Sequence, residues 1–453
     1  MDSNEVVARG HFWLEDPYSS VAGELKYTPQ NGATVYLFGV LEPIQFERSD
    51  TPIRYPVVRG STEGLGWVWL RNALVTRQQF GTRPSASELH SNLVISSSSA
   101  NDLSAAPIAK LSARVDCFHD WLGVSGFSFK NSEDFKHLEV GFRSPNRYEF
   151  EAGDDKLAFE FGRDGPTMRP PQKEVSIRQT TELSIIFGVP TQLEEARERL
   201  LVVTDLLALG VGRSLSWSAL EAKFAIVSTE PQRLWAKVLD RPIESRGDDE
   251  VRPWEMLFTF REVEKRFQKA LSSWLSIASE AKPLYTLYSA TTRSTRIYSE
   301  HRLINFFQAL ESYHRIRNEV DEETKRKVKS IKSRMLGACT QEEQDWLRER
   351  LQHLHEPSAA ERIRGLILQF RAEWIFSPNW EAAVRRITNM RNYFTHFSRE
   401  IPAESLDSAN IYNDGSRLQV LCEQILLVEI GFPTNEATAL LQGKGRLQRL
   451  TVS

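Results

Sequence analysis

The segment Arg391-Asn-Tyr-Phe-Thr-His396 places a guanidinium, an amide and an imidazole within two turns of a predicted helix. Apolar residues recur every three or four positions around it, which predicts an amphipathic helix. These residues are Trp380, Val384, Ile387, Phe394 and Phe397. A helix with one apolar side needs partners to cover it, so the segment predicts a helical bundle in this part of the chain.

Arg391 falls on the apolar stripe of this helix. A guanidinium keeps its proton, so at the edge of a core it needs a carboxylate, a phosphate or open water. At about 100° per residue, Asn392 and His396 lie one above the other, whereas Arg391 and His396 are about 140° apart. We therefore expect the helix to end or distort near His396 if both side chains act on one substrate.

The spacing alone is weak evidence, because other Arg and His residues also lie five positions apart, as in Arg296 and His301. The Asn directly after Arg391 and the amphipathic surroundings distinguish this segment. A structural interpretation stays open. Arg391 is then a cation near the carboxyl end of its helix, where positive charge is favourable, and His396 is a half-buried cap.

The segment resembles the hallmark of the HEPN superfamily of metal-independent RNases: an Arg, a polar residue that is often Asn, and a His a few positions later. Its surroundings are similar to the ApeA-like branch in particular. A long predicted helix precedes the motif at residues 302–315, and a leucine-rich helix follows it around residues 418–430. The resemblance covers roughly residues 255–445. The start of the chain, around residues 10–14 and 21–25, is similar to the amino-terminal domain of ApeA proteins.

This resemblance implies a bacterial anti-phage nuclease whose amino-terminal domain senses an infection signal or restrains the nuclease until one arrives. A phage-derived trigger is then an expected partner. The resemblance also implies that two protomers bring their motifs together, so we expect a homodimer with a composite active site. A monomer that uses water as its second proton carrier is the alternative.

The residue types suit cleavage of RNA by transesterification. His396 would act as general base or acid when the ribose 2′-hydroxyl attacks its own 3′-phosphate, because the ordinary pKa of imidazole, about 6.5, keeps both protonation states available. Arg391 would stabilise the developing negative charge. Asn392 would hold the imidazole or a phosphate oxygen. The products would carry 2′,3′-cyclic phosphate and 5′-hydroxyl ends.

The preceding long helix contributes a candidate carboxylate. Its apolar stripe and the polar face that continues it comprise Leu303, Phe306, Phe307, Leu310, Glu311 and His314. We expect Glu311 to pair with Arg391 and to fix the rotamer of that arginine, which is a supporting role. A solvated Glu311 at the edge of the stripe is the alternative.

Composition and charge bound the possible functions. The 453 residues are 41% apolar, as in a packed protein of two or three domains. Residues 1–250 contain 27 Lys and Arg against 35 Asp and Glu, whereas residues 251–453 contain 30 against 25. The surplus of cations therefore lies in the half that carries Arg391. It permits RNA binding without requiring it.

The chain shows no pattern of a metal site, a disulfide framework or a membrane span. Its three cysteines include no close pair, which predicts a reducing, cytoplasmic compartment. The first residues lack the features of a signal peptide, and the richest apolar run, 200–211, is short and contains Asp205. Since no zinc or calcium motif occurs either, we expect no metal and no cofactor.

Residues 1 to about 190 carry short alternating apolar runs that are broken by Gly, Pro, Asn and Asp, which predicts strands. The clearest predicted elements are strands at 34–38 and 67–70, a hairpin from 148–151 to 157–161, a helix at 194–209 and a last strand at 222–227. Many short strands favour a sandwich or barrel-like domain. The tryptophans at 13, 67, 69 and 121 are expected to pack in its core, and a binding platform is the alternative.

A polar stretch at 240–253 predicts a linker, and beyond it the apolar period changes from two to 3.6. The sequence therefore predicts an α+β multidomain protein. A β-rich regulatory or sensor domain at 1–245 precedes an all-α HEPN bundle at 254–445. With the resemblance, this predicts a metal-independent endoribonuclease that cleaves RNA, with tRNA as the expected substrate, in abortive-infection defence. The alternative is a non-catalytic HEPN-like module that binds RNA or a protein partner.

Overall fold

The computed structural model divides the chain into two compact units, Met1–Gln268 and Lys269–Ser453, which we call the β-rich unit and the helical unit. The residues that the structure describes are 5–42, 52–79, 85–132, 136–169, 174–226, 235–240, 251–294, 296–318, 322–351, 354–396 and 407–451. The predicted fold class, a β-rich region followed by a helical region, is confirmed.

The β-rich unit is built mainly from antiparallel strands. They are β1 Val6–Trp13, β2 Val21–Thr28, β3 Gly32–Leu37, β4 Arg54–Thr62, β5 Gly66–Gln79, β6 Ala86–Ser91, β7 Leu93–Ser97, β8 Ile108–Val115, β9 Phe127–Asn131, β10 Leu138–Phe142, β11 Tyr148–Ala152, β12 Asp155–Arg169, β13 Glu174–Thr191, β14 Trp217–Phe224 and β15 Trp235–Asp240. The helices of this unit are α1 Phe118–Leu122, α2 Leu193–Val211 and α3 Phe260–Val263. The predicted strands at 34–38 and 67–70, the hairpin of β11 and β12, and the helix at 194–209 are confirmed.

Six strands form a closed barrel in the order β5-β4-β1-β2-β3-β6, because β6 pairs with both β3 and β5. Alternate residues point inward and fill the interior, among them Leu25, Val35 and Val58, which have no exposed surface. Of the two predicted architectures, the barrel is therefore the observed one.

Strand β5 leaves the barrel at one end. Its residues Trp67–Arg71 pair with β7, whereas Leu74–Gln79 pair with β6. Asn72 lies between the two stretches with a φ of 50°. Asn tolerates this left-handed conformation better than most residues, so it suits a corner at which a strand changes partners.

Beyond β5, the sheet continues through β7, β15, β14, β8, β13, β12 and β11. The predicted strand at 222–227 overlaps β14, which ends at Phe224, and Val227 lies outside the described residues. It is not the last strand, because β15 follows at Trp235–Asp240. Asp240, the first residue of the predicted linker, is buried. Its carboxylate accepts hydrogen bonds from Arg197 Nη2 at 2.6 Å and Nε at 3.1 Å. The turn-forming composition of residues 240–253 predicts a loop, but Asp240 ends strand β15 and its charge is neutralised by Arg197.

The residues after the predicted linker belong to the core of the β-rich unit. Phe260 and Phe267 lie 5.7 and 5.9 Å from the ring of Trp121, and 5.4 Å each from that of Phe159. The contacts consequently divide the chain after Gln268. The predicted ranges 1–245 and 254–445 stay predictions, because most of the predicted linker, 241–250, lies outside the described residues.

The helices of the helical unit are α4 Phe267–Glu280, α5 Lys282–Arg293, α6 Ser299–Arg317, α7 Glu322–Gly337, α8 Gln341–Arg350, α9 Ala359–Gln369, α10 Trp380–His396, α11 Ser408–Glu429, α12 Thr434–Gly443 and α13 Arg446–Thr451. The first two residues of α4, Phe267 and Gln268, still belong to the β-rich unit. The predicted helices at 302–315, around 391 and at 418–430 correspond to α6, α10 and α11. Helix α6 packs against α5, α9, α10 and α11, and its Phe306 and Phe307 are fully buried. Among the described residues, none of the helices has the length and apolarity needed to cross a bilayer.

Candidate active site

Helix α10 positions the motif. The side-chain oxygen of Asn379 accepts a hydrogen bond from the backbone N–H of Ala382 at 3.0 Å, which caps the first turn. The buried side chains of α10 are Ala383, Val384, Ile387 and Met390, which follow the helical period. Arg391 comes directly after this stripe and is half-buried at its edge, as predicted.

Two side chains and one ring hold the guanidinium of Arg391. Its Nη2 donates to Glu311 Oε2 at 3.0 Å, and its Nη1 donates to Asn392 Oδ1 at 3.1 Å. Its Cζ lies 5.6 Å from the centre of the Phe307 ring. The predicted pairing of Glu311 with Arg391 is therefore confirmed, whereas a part for either residue in catalysis stays a prediction.

Arg391 keeps donors for a further anion. A guanidinium has five N–H groups, and the contacts of the described residues use two of them. A quarter of the Arg391 side chain is exposed, against 15% of Glu311. The second oxygen of Glu311 lies 3.7 Å from Arg315 Nη2, so a further cation borders the pair. A phosphate that approached Arg391 would find an oriented, partly exposed cation.

Asn392 and His396 lie four residues apart on the same side of α10. The amide oxygen of Asn392 is bound to Arg391, which leaves its NH₂ group for another acceptor. The backbone of His396 is helical, but its side chain and residues 397–406 lie outside what the structure describes. The predicted contact of Asn392 with the imidazole, and the predicted helix end near His396, stay predictions.

His314 extends the face of α6 that carries Phe307 and Glu311. Its Nδ1 is buried and has no hydrogen-bond partner among the described residues. Burial lowers the pKa of His314 below its ordinary value, and the nearby charge of Arg362 lowers it further. The sequence placed His314 on this face but gave no sign of its desolvation, which depends on packing against α9.

Sequence patterns did not predict two buried carboxylates of the helical unit that arginines neutralise. Glu423 accepts from Arg446 Nη2 at 2.6 Å and from Nε at 2.8 Å, with no exposed surface on its side chain. Asp414 is equally buried and accepts from Arg386 and Arg417. Such pairs show no periodic pattern in a sequence. Only the arginines' place among apolar residues could have suggested them.

The remaining site predictions concern metals and tryptophans. No cluster of three or more His, Cys, Asp and Glu side chains suited to a metal ion occurs within the described ranges. The expected absence of a metal stays a prediction. Trp13, Trp69 and Trp121 are buried, as expected for core residues, and Trp67 is half-buried with its ring 5.9 Å from that of Trp13.

The chain matches two family models. Residues 8–274 match ApeA N-terminal domain 1, and residues 304–436 match the Apea-like HEPN domain. The first match covers more than half of the chain, and the second contains Glu311 and the whole motif from Arg391 to His396. No curated protein and no solved structure matches the chain.

Proposed function

This chain belongs to the ApeA-like HEPN family, and from that premise we propose that it is a metal-independent endoribonuclease that acts in anti-phage defence. The observation that carries the proposal is the environment of Arg391. Glu311, Asn392 and Phe307 fix the guanidinium in one place, and within the described part of the chain three of its N–H donors have no acceptor and could bind a phosphate. The family motif thus contains an oriented cation rather than a freely rotating one.

In this proposal each motif residue has one task. Arg391 stabilises the charge that builds on the phosphate oxygens as the ribose 2′-hydroxyl attacks. His396 takes the proton from that hydroxyl or gives one to the departing 5′-oxygen. Asn392 orients a phosphate oxygen through its free NH₂ group, and Glu311 positions Arg391. The phosphodiester bond to the 5′-oxygen breaks, and the 2′-oxygen forms the new bond to phosphorus.

One histidine cannot both accept the first proton and donate the second in a single step. We therefore propose a homodimer in which the motifs of two protomers share one active site. We also propose that the substrate is tRNA, that the cytoplasm is the compartment, and that a phage-derived signal acts through the β-rich unit. A defence nuclease has to be inactive until infection, and in this proposal the β-rich unit keeps it inactive.

The test is incubation of purified protein with total cellular RNA and with tRNA in EDTA, followed by analysis of the fragment ends. We expect cyclic-phosphate and 5′-hydroxyl ends from the wild type and none from His396→Ala. His301→Ala is the matched control, because His301 is exposed in the same unit and also follows an Arg by five positions. Expression toxicity that Arg391→Ala abolishes would be a second line of support.

One observation favours a second function, a non-catalytic module that binds RNA or a protein. Arg391 already donates to Glu311 and Asn392, and an arginine of purely structural purpose would do the same. The experiment above separates the two functions. A wild type that binds RNA but cleaves none, even with extract from phage-infected cells, would support the binding module.

A further inference from the structure

Helix α7 differs from the other long helices of the helical unit in that none of its residues is buried. The neighbouring α6 buries seven residues over a length of 19: Arg302, Leu303, Phe306, Phe307, Ala309, Leu310 and Tyr313. Most helices in proteins owe their stability to such burial. A helix of 16 residues without it presents almost its whole surface to solvent or to a partner.

This exposed helix is strongly basic. It contains two glutamates and six cations: Lys325, Arg326, Lys327, Lys329, Lys332 and Arg334. Lys325, Lys329 and Lys332 are four and three residues apart, so they lie within about 60° of each other on one side of the helix. The cation surplus of residues 251–453 is therefore concentrated in α7.

Most of these cations lack a carboxylate partner. Lys325 pairs with Glu322 at 2.8 Å, and Lys327 pairs with Glu323 at 2.7 Å. Among the described residues, Lys329, Lys332 and Arg334 make no ion pair. Lys325, Lys329 and Arg334 are exposed, and Lys332 is half-buried. Like charges at this density repel each other and favour an anionic partner with regularly spaced charges.

The adjoining helix α8 adds an aromatic side chain. Trp346 is 60% exposed, and the guanidinium of Arg350 lies 5.1 Å from the centre of one of its rings. Helix α8 follows α7 after three residues and contacts it. Exposed aromatic rings beside a basic surface are typical of proteins that bind single-stranded RNA, because bases stack on the rings while cations contact the phosphates.

We propose that α7 binds the phosphate backbone of the RNA substrate through Lys325, Lys329 and Lys332, outside the active site. This proposal rests on the proposed function, since it takes RNA as the substrate. A membrane surface fits less well, because the apolar residues of α7, which are Val328, Ile331, Met335 and Leu336, include no aromatic residue. Helix α7 thus contributes affinity that does not depend on base sequence and falls as salt concentration rises.

The experiment compares two double charge reversals in the His396→Ala background, in which RNA stays intact. Lys329→Glu with Lys332→Glu changes α7, and Lys269→Glu with Lys282→Glu makes the same change at exposed lysines of α4 and α5. Binding of a fluorescent tRNA transcript is measured by anisotropy over a series of salt concentrations. The α7 variant should bind about tenfold more weakly or worse. The slope of log affinity against log salt should fall by about two, with little change in the control.

Cleavage separates this proposal from the proposed function. In the protein that retains His396, the α7 variant should cleave a dinucleotide with one phosphodiester as fast as the wild type. Its KM for tRNA should rise. If no variant cleaves any RNA, the proposed function fails and the anisotropy result still decides the role of α7. Lys329→Gln with Lys332→Gln should give an intermediate affinity, and circular dichroism checks the helix content of every variant.

Three results would overturn the proposal. The first is an unchanged affinity and salt slope in the α7 variant. The second is a change of oligomeric state, measured by light scattering, that accounts for the loss of tRNA affinity. Helix α7 would then be an interface between two copies of the chain. The third is salt-sensitive binding of α7 to phosphatidylserine vesicles with no effect of the reversal on tRNA.

Discussion

Two pairs in the helical unit consist of the same residue types, an arginine and a glutamate, but differ in burial and in the number of hydrogen bonds. Glu423 is fully buried and accepts two hydrogen bonds from Arg446, at 2.6 and 2.8 Å. Glu311 accepts one from Arg391, at 3.0 Å, and both side chains keep some exposure. The first pair is closed to solvent, whereas the second is open to a ligand.

The partners of each glutamate complete the contrast. Glu423 also accepts from Gln419 Nε2 at 2.8 Å and from the Tyr288 hydroxyl at 3.3 Å, which satisfies the buried carboxylate on all sides. Burial, followed by the negative charge of Glu423, raises the pKa of Tyr288 well above its ordinary value. Arg391, by contrast, has donors without an acceptor among the residues that the structure describes. A saturated, buried ion pair offers nothing to a ligand, whereas an unsaturated pair at the surface can bind one.

The largest effect should follow from breaking the closed pair. Glu423→Ala leaves the Arg446 guanidinium buried without its carboxylate, so we expect the free energy of unfolding of the helical unit to fall by about 3–5 kcal/mol. Urea unfolding monitored by circular dichroism measures it. Glu311→Ala is the control and should cost about 1 kcal/mol or less, because its pair is partly exposed. Equal losses from the two variants would contradict the distinction between the pairs.

Removing the open arginine should reverse this pattern. Arg391→Ala should lower kcat/KM for RNA cleavage by about 10²–10³-fold, because a preorganised cation at the phosphate is lost. Its unfolding free energy should change by about 1 kcal/mol. Arg391→Lys should regain stability but little activity, since an ammonium cannot reproduce the planar set of donors. Full activity in Arg391→Ala would assign this arginine to the structural class of Arg446.

A smaller effect is expected at the carboxylate that positions Arg391. Glu311→Gln removes the charge while keeping the size of the side chain, so we expect kcat to fall about 10–100-fold with little change in KM. Glu311→Asp should recover part of the loss because it restores the charge. A change confined to KM would instead indicate that Glu311 acts on RNA binding.

The smallest effect concerns the pH dependence of stability at His314. Its pKa is lowered in the folded protein, so the unfolded chain binds more protons between the folded pKa and about 6.5. The stability from the neutral imidazole is complete above about pH 6.5 and is lost as pH falls. We expect the melting temperature of His314→Gln to fall less between about pH 7.5 and 5.5 than that of the wild type. His301→Gln, at an exposed histidine, should behave like the wild type.

Much of the helical unit could be predicted, because its signals are local. The apolar period located α10, and the stripe on α6 placed Glu311 where it meets Arg391. The Glu423–Arg446 pair was not predictable in this way, since nothing near either residue specifies the other. The lowered pKa of His314 depends on packing against α9. The period of apolar residues does not show which two helices pack together.

In the β-rich unit, sequence patterns predicted several strands but not how those strands pair. Alternation located β3, β5 and the hairpin of β11 and β12. The closure of the barrel depends on the pairing of β6 with both β3 and β5, which alternation does not specify. The sequence predicts residues 254–268 as the start of the helical domain, yet the rings of Phe260 and Phe267 pack around Trp121. Composition predicts a linker at 240–253 but does not show which unit its flanking residues join.

The change of partner in β5 at Asn72 has a consequence for how this unit loses its structure. The same strand provides a wall of the barrel and the first strand of the sheet beyond it, so loss of the β5 conformation would remove hydrogen bonds from both parts at once. Amide hydrogens of the barrel and of β7 and β15 should therefore exchange with solvent through one shared opening event. A signal that loosens β5 would weaken the hydrogen bonding of the barrel and of the adjoining strand β7 together.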